Sequence, residues 1–245
     1  MAGELYVVGL GPGGRAGLSA EADEVLQRCD LIVGYAAYIE LIEGWYEGAE
    51  LRATPMMREL DRCRMAFQEA QRGRDVALVC SGDAGVYGMA SPVLELAEAN
   101  PEVSVTVVAG VTAASSGAAV LGAPLGHDFA VISLSDLLTP WQLIERRLEA
   151  AASADFCVCL YNPRSTRRAG HLARAAGVLL RHKGPETVCG WVRNIGRAGQ
   201  ASGTLRLDEL AELEADMFTT VFVGNAATRL VNGRMVTPRG YEVRS

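Results

Sequence analysis

No C-x-x-C pair occurs among the six cysteines, the charges show no basic surplus, and no repeat or low-complexity tract interrupts the 245 residues. Each absence excludes a class of protein. The cysteines are Cys29, Cys63, Cys80, Cys157, Cys159 and Cys189, four of them in or beside apolar stretches. They read as buried thiols in a reducing compartment rather than as a disulfide framework or a metal site. A formal net charge of −6 argues against nucleic acid as a partner, because a general binder presents a strongly basic surface. It leaves room for a local basic pocket that takes a small acid. Glu4 breaks the short N-terminal apolar run, so no secretory or transit signal is expected and the cytoplasm is the expected location.

One stretch imitates a membrane span. Residues 103–126 carry no charge and are long enough to cross a bilayer. Gly110, Gly117, Gly122, Pro124 and several hydroxyls interrupt them. A β-branched strand over 103–108, a turn and a small-residue helix account for the segment better, and no membrane association is expected.

What remains is a globular composition, 49% hydrophobic and 21% charged, long enough for two modest α/β domains. In the first half, Val- and Leu-rich runs at 5–10, 30–34, 76–80 and 103–108 predict buried strands. Helical stretches at 19–28, 56–72 and 86–99 alternate with them, with Ser19 as an N-cap, which predicts a mostly parallel sheet under helices. In the second half, strands are expected at 129–134, 156–160, 187–192 and 219–223, with a hairpin edge at 234–238. Helices are expected at 140–151, 166–181 and 207–213, with Pro140 as the first helical residue of its segment. The small-residue segment 113–126 marks the boundary, giving domains 1–112 and 113–245.

Gly9, Gly11 and Gly14 fit G-x-G-x-x-G after the first strand. A dinucleotide fingerprint also needs an acidic residue ending the second strand. Asp30 precedes that strand instead, and Pro12 removes an N–H from where a phosphate would sit. Two other uses stay open: a tight strand-to-helix turn with positive φ, and close approach of a bulky ligand to the backbone. The segment "CSGDAGVYGMA" (80–90) favours a ligand, since Gly82, Asp83 and Gly85 follow a predicted strand, where open α/β sheets bind theirs. Asp83 reads either as an acceptor for a ligand's ammonium or ribose or as a helix cap.

With "VVGLGPGG" (7–14), "SGDAGVYGMA" (81–90) and "AGVTAASSGAA" (109–119) in this order, the chain resembles the cobalamin-pathway tetrapyrrole methyltransferases. The stretches "GAPLGHDFAVISLSDLLTPW" (122–141), "LYNPRS" (160–165), "WVRNIGRAGQ" (191–200), "TTVFVGNAAT" (219–228) and "MVTPRGY" (235–241) carry the resemblance nearly end to end. They are similar to the branch that methylates C17 of precorrin-3B. Ala109 and Ala198 depart from the Pro and Glu common in the family. The resemblance implies two small α/β domains with a ligand cleft between them, a tetrapyrrole substrate, a homodimer and no metal. It also implies S-adenosylmethionine as methyl donor, leaving as S-adenosylhomocysteine. The implied reaction is methylation with ring contraction to precorrin-4. The alternatives are the same reaction on cobalt-factor III or cobalt-precorrin-3 of the anaerobic route, a sibling ring position, or a nicotinamide-dependent oxidoreductase.

Carried onto this chain, the resemblance implies cofactor contacts at Gly82, Asp83, Val86, Thr112 and Ala113. Tyr161, Asn162, Arg193, Asn194, Asn225 and Ala226 join them from the second domain. Turn chemistry is the alternative for Asn162 and Asn225. The GPG loop (Gly11, Pro12, Gly13) and Tyr35, with Tyr38, would face the macrocycle. Its carboxylates call for arginine, and Arg15, Arg164 and Arg239 are the candidates, with Arg167, Arg168 and Arg197 nearby. Ring contraction needs proton transfers. His127, Asp128, Ser135 and Asp136, with Ser133, are the groups available in the "GHDFAVISLSDLL" block, His127 first by its ordinary pKa.

Overall fold

The computed structural model describes residues 2–165 and 169–241. It divides into two units, Met1–Ala113 and Ala114–Ser245.

In the first unit, β1 (Glu4–Gly9), β2 (Leu31–Tyr35), β3 (Glu50–Thr54), β4 (Val76–Cys80) and β5 (Ser104–Val108) form a parallel sheet in the order β3-β2-β4-β1-β5. The helices α1 (Ala20–Arg28), α2 (Ala36–Ile42), α3 (Glu59–Gln71) and α4 (Ala90–Ala97) cover both faces. Successive strand residues point to opposite faces. Val7, Val33 and Leu78 therefore pack with α3 and α4, while Tyr6, Val8, Ile32 and Val79 pack with α1 and α2. Burial on both sides is why the central strands, past Glu4 at the head of β1, are apolar runs.

Ser19 caps α1, its Oγ accepting from the Ala22 N–H at 3.1 Å. Two helices start later than the sequence predicts, because Met57 and Tyr87 adopt φ of +64° and +53° just before them. At the head of β1, the Glu4 carboxylate accepts hydrogen bonds from the Tyr6 hydroxyl at 2.6 Å and the Thr106 hydroxyl at 2.8 Å. These donors, Tyr6 foremost, hold the carboxyl below its ordinary 4.5. Its contribution to stability is thus present above the unfolded pKa and lost as pH falls through the lower folded value. We expect Glu4→Gln to flatten the acid limb of melting temperature against pH, below about 4.5. An unchanged limb would show that other carboxylates set it.

The second unit contains α5 (Ala113–Leu121), β6 (Gly122–Ala123), β7 (Phe129–Ser133), α6 (Trp141–Ser153), β8 (Cys157–Tyr161) and α7 (His171–Leu179). They are followed by β9 (Val188–Arg193), β10 (Ala201–Arg206), β11 (Thr219–Val223), β12 (Arg229–Val231) and β13 (Arg234–Val236). Its sheet has the order β10-β9-β11-β8-β7 and is mixed, with only β7 and β8 paired in parallel. One face buries Ile132, Leu160 and Val221 against α6 and α7. On the other, Gly117 of α5 leaves room for Phe222, whose ring a Cβ would meet at 2.8 Å.

Pro140 is the N-cap of α6 rather than its first residue, and Leu207–Glu212 is a 3-10 helix. Asn232 and Gly233, at φ +50° and +76°, join β12 to β13 in a two-residue hairpin. All six cysteines are buried and unpaired. No helix among the described residues is long and apolar enough to cross a membrane.

Candidate functional site

All the carboxyl ends of the first unit's strands lie along one edge. The chain leaves β1 toward β2 and leaves β4 toward β5, so the neighbours β1 and β4 form the switch point where such sheets bind ligands. There Gly11 and Gly82 exchange two backbone hydrogen bonds, Gly11 N–H to Gly82 O at 3.0 Å and Gly82 N–H to Gly11 O at 2.7 Å. Gly11 has φ +66°. A Cβ on Gly9 would lie 2.7 Å from the Gly82 oxygen and 2.8 Å from the Gly110 nitrogen. Gly14, at φ −95°, is in a conformation any residue adopts. Within this unit the glycine pattern joins backbone to backbone.

Asp83 fastens the same cluster. Its Oδ1 accepts from the Gly85 and Val86 N–H groups at 2.8 and 3.0 Å, and its Oδ2 accepts from the Gly110 N–H at 3.0 Å. Most of the carboxylate's capacity is therefore engaged by backbone, so in this structure Asp83 acts as a clamp between the loops after β4 and β5. Around it, Gly82 has φ +72° and only ordinary van der Waals neighbours, Thr112 and Ala113. Val86 is exposed beside them. Small residues at these strand ends leave room for a ligand. At the end of β2, Tyr35 and Tyr38 stack edge to face at 5.2 Å. Arg15 lies 3.5 Å from Asp23 and about 6 Å over the Trp45 and Tyr46 rings.

The second unit separates residues that the sequence grouped together. Ser133, Tyr161 and Arg193 end β7, β8 and β9 at one end of the sheet, and Asn194 N–H reaches the Phe218 carbonyl at 3.2 Å there. Asn162 Nδ2 donates to Ser133 Oγ at 2.9 Å, and the Tyr161 hydroxyl accepts from Ala114 N–H at 2.6 Å. Asn162 and Asn194 take φ of +53° and +52°, the left-handed region that asparagine tolerates. Ser135, Asp136 and Arg164 follow in the adjoining loops.

Asn225 and Ala226 lie at the opposite end, because β11 runs antiparallel to β8. The structure thus does not bring them to Tyr161, Asn162, Arg193 and Asn194. Asn225 is not left-handed; its Oδ1 accepts from Ala227 N–H and the Thr228 hydroxyl, both at 3.1 Å. His127 and Asp128 precede β7 and share that opposite end, apart from Ser135 and Asp136. With Asn225, Arg229, Arg239 and Tyr241 they border a cavity of about 600 Å³. Arg167 and Arg168 lie outside the described residues.

One residue that the sequence reading passed over comes to the Ser135 end. His171, first in α7, places Nε2 3.0 Å from Asp136 Oδ2. Its partner stands 35 positions earlier, and no local pattern links the two.

Residues 4–211 match the family model described as Tetrapyrrole (Corrin/Porphyrin) Methylases. A probable cobalt-factor III C(17)-methyltransferase of Salmonella typhimurium is 46% identical over 97% of this chain and 99% of its own length. A cobalt-factor III methyltransferase of Priestia megaterium is 42% identical over 99% of this chain, which spans 46% of that protein. Among solved structures, the methyltransferase CobJ is similar at a TM-score of 0.91 and 40% identity, covering 97% of this chain and 100% of that one.

Proposed function

Because the chain belongs to the tetrapyrrole (corrin/porphyrin) methylase family, we propose that it methylates C17 of cobalt-factor III in corrin assembly, with contraction of the ring. The family is one of methyltransferases, and S-adenosylmethionine is its methyl donor. The observation that carries the choice of macrocycle is the end-to-end identity with a relative named for cobalt-factor III. It moves the reading away from metal-free precorrin-3B, which the motifs alone favoured. The metal on this reading belongs to the substrate.

Bound S-adenosylmethionine supplies an electrophilic methyl group on a positively charged sulfur. The chain's own contribution is position, since holding a carbon nucleophile in line with that methyl group supplies most of the acceleration. From the first unit we assign cofactor contacts to Gly82, Val86, Thr112 and Ala113, with Asp83 keeping their loops in register. From the second we assign Tyr161, Asn162, Arg193 and Asn194, which share one end of its sheet. Arg15 and Arg164 are assigned to substrate carboxylates, and Gly11, Pro12, Gly13 and Tyr35 to the macrocycle. Asn225, Ala226, His127, Asp128 and Arg239 form a separate group at the other end of the second sheet.

The test is a mass-resolved assay in which protein and S-adenosylmethionine meet cobalt-factor III and precorrin-3B in separate anaerobic reactions. We expect a gain of one methyl on cobalt-factor III. Methylation of precorrin-3B alone would overturn the choice of macrocycle. Methylation of neither, with S-adenosylhomocysteine still bound, would overturn the C17 reading.

A further inference from the structure

Two histidine–aspartate pairs occur in the second unit, and they differ in kind. His127 and Asp128 are chain neighbours, with side chains 52% and 76% exposed and 3.5 Å apart. Nδ1 of His127 already accepts the Asp128 N–H at 2.9 Å. This is an open turn at the head of β7. The other pair joins two elements. His171 is buried, and its Nε2 faces Asp136 Oδ2 at 3.0 Å, while the Asp136 side chain stays 36% exposed.

The imidazole is held from the side. Trp141 of α6 packs edge-on against it at 4.9 Å, and the Arg174 guanidinium of α7 lies 4.1 Å over the same indole. Among the described residues, the charged groups around this stack include Asp136 in the loop after β7, Arg174 on α7, and Glu145 on α6, which Arg181 pairs at 2.7 Å. Nε2 of His171 is off the axis of a well-formed hydrogen bond and has no other partner among the described residues. A buried ring nitrogen left in that state costs free energy, and such exceptions call for a reason.

We propose that Asp136 is the residue that exchanges a proton with the macrocycle during ring contraction, and that His171 is its positioning residue. This rests on the ring-contracting reaction proposed above. The methyl group arrives without its bonding electrons, which leave on the sulfur of S-adenosylhomocysteine, so the macrocycle gains one positive charge. The carboxylate of Asp136 takes one proton from the macrocycle, and the electron pair of that bond stays on the macrocycle. Asp136 then passes that proton to solvent, to which its side chain is 36% exposed, and the enzyme ends as it began. His171 N–H, swinging into line with Oδ2, fixes the rotation of the carboxylate. The two residues lie at the end of β7 that also carries Ser133, Tyr161 and Asn162, whereas His127 lies at the other end.

The experiment compares wild type with Asp136→Asn, His171→Gln, His171→Phe and His127→Gln, using cobalt-factor III and S-adenosylmethionine. Four readouts are taken: kcat and KM for the contracted product by absorption and mass, the pH profile of kcat, S-adenosylhomocysteine affinity, and melting temperature. We expect Asp136→Asn to lower kcat by about 100-fold or more with S-adenosylhomocysteine affinity unchanged. His171→Phe should lower kcat by about 10- to 100-fold with KM within about twofold. His171→Gln keeps an N–H for Oδ2 and should restore most of the rate. His127→Gln should match wild type. If His171→Phe melts like wild type and keeps full kcat, or if Asp136→Asn is fully active, the inference is overturned. Wild-type protein that methylates neither macrocycle would instead overturn the functional reading beneath it.

Discussion

Replacing Gly110 by alanine should lower the melting temperature by roughly 10 °C and abolish S-adenosylhomocysteine binding. A Cβ at this position would run into the carbonyl oxygens of Gly82 and Gly9. Both are backbone atoms of other loops, and neither can swing aside as the end of a flexible side chain would. Relief requires the loops after β1, β4 and β5 to separate. That separation breaks the paired hydrogen bonds of Gly11 with Gly82 and the bond from Gly110 N–H to Asp83. Overpacking of this kind costs about 3 kcal/mol, and a chain of this size loses about 2–4 °C per kcal/mol. Gly48→Ala is the control: nothing lies within 4 Å of its Cβ position, so the change should stay within about 0.5 kcal/mol. Calorimetry checks stability and isothermal titration checks binding. A Gly110→Ala protein that melts and binds like wild type would mean that these three loops do not pack as described.

Much of this arrangement is legible in the sequence, and what is not has identifiable causes. The central strands β1, β2 and β4 announce themselves because burial on both faces makes nearly every position apolar. The edge strand β3, reading ELRAT with only Thr54 buried, and β10, reading ASGTLR on a half-exposed edge, give no such signal. The glycines and Asp83 could be picked out as a loop cluster. That they bond to one another depends on β1, β4 and β5 being neighbours, which is a fact of topology.

The separation of Asn225 and Ala226 from Tyr161 and Asn162 is likewise a fact of topology. In the parallel first sheet every strand delivers its following loop to one edge. In the second unit β11 runs against its neighbours, which sends its following loop to the other end. His171 and Asp136 meet because α7 begins where the loop after β7 passes, and nothing in the spacing of the two residues reports it.

Asp83→Asn separates the two roles that the sequence left open for this residue. The substitution keeps shape and one acceptor oxygen. Oδ1 can still serve the Gly85 and Val86 N–H groups, but the amide nitrogen then faces Gly110 N–H, donor against donor. The carboxylate's charge, which strengthens all three bonds, is also lost. These loops are partly open to solvent, so each bond counts for less than a buried one, and we expect a total of about 2 kcal/mol. The apoprotein should therefore melt roughly 4–8 °C lower, and S-adenosylhomocysteine should bind about tenfold more weakly because its loops are no longer held in register. A carboxylate that served only the ligand would give a different result, weaker binding with an unchanged apoprotein melt. Combining the substitution with Gly110→Ala sharpens the distinction. Gly110→Ala already breaks the Gly110–Asp83 bond, so the clamp predicts that Asp83→Asn costs only about half as much on that background. Full additivity would mean that the loop after β5 and the carboxylate act independently, and Asp83 would revert to a ligand contact.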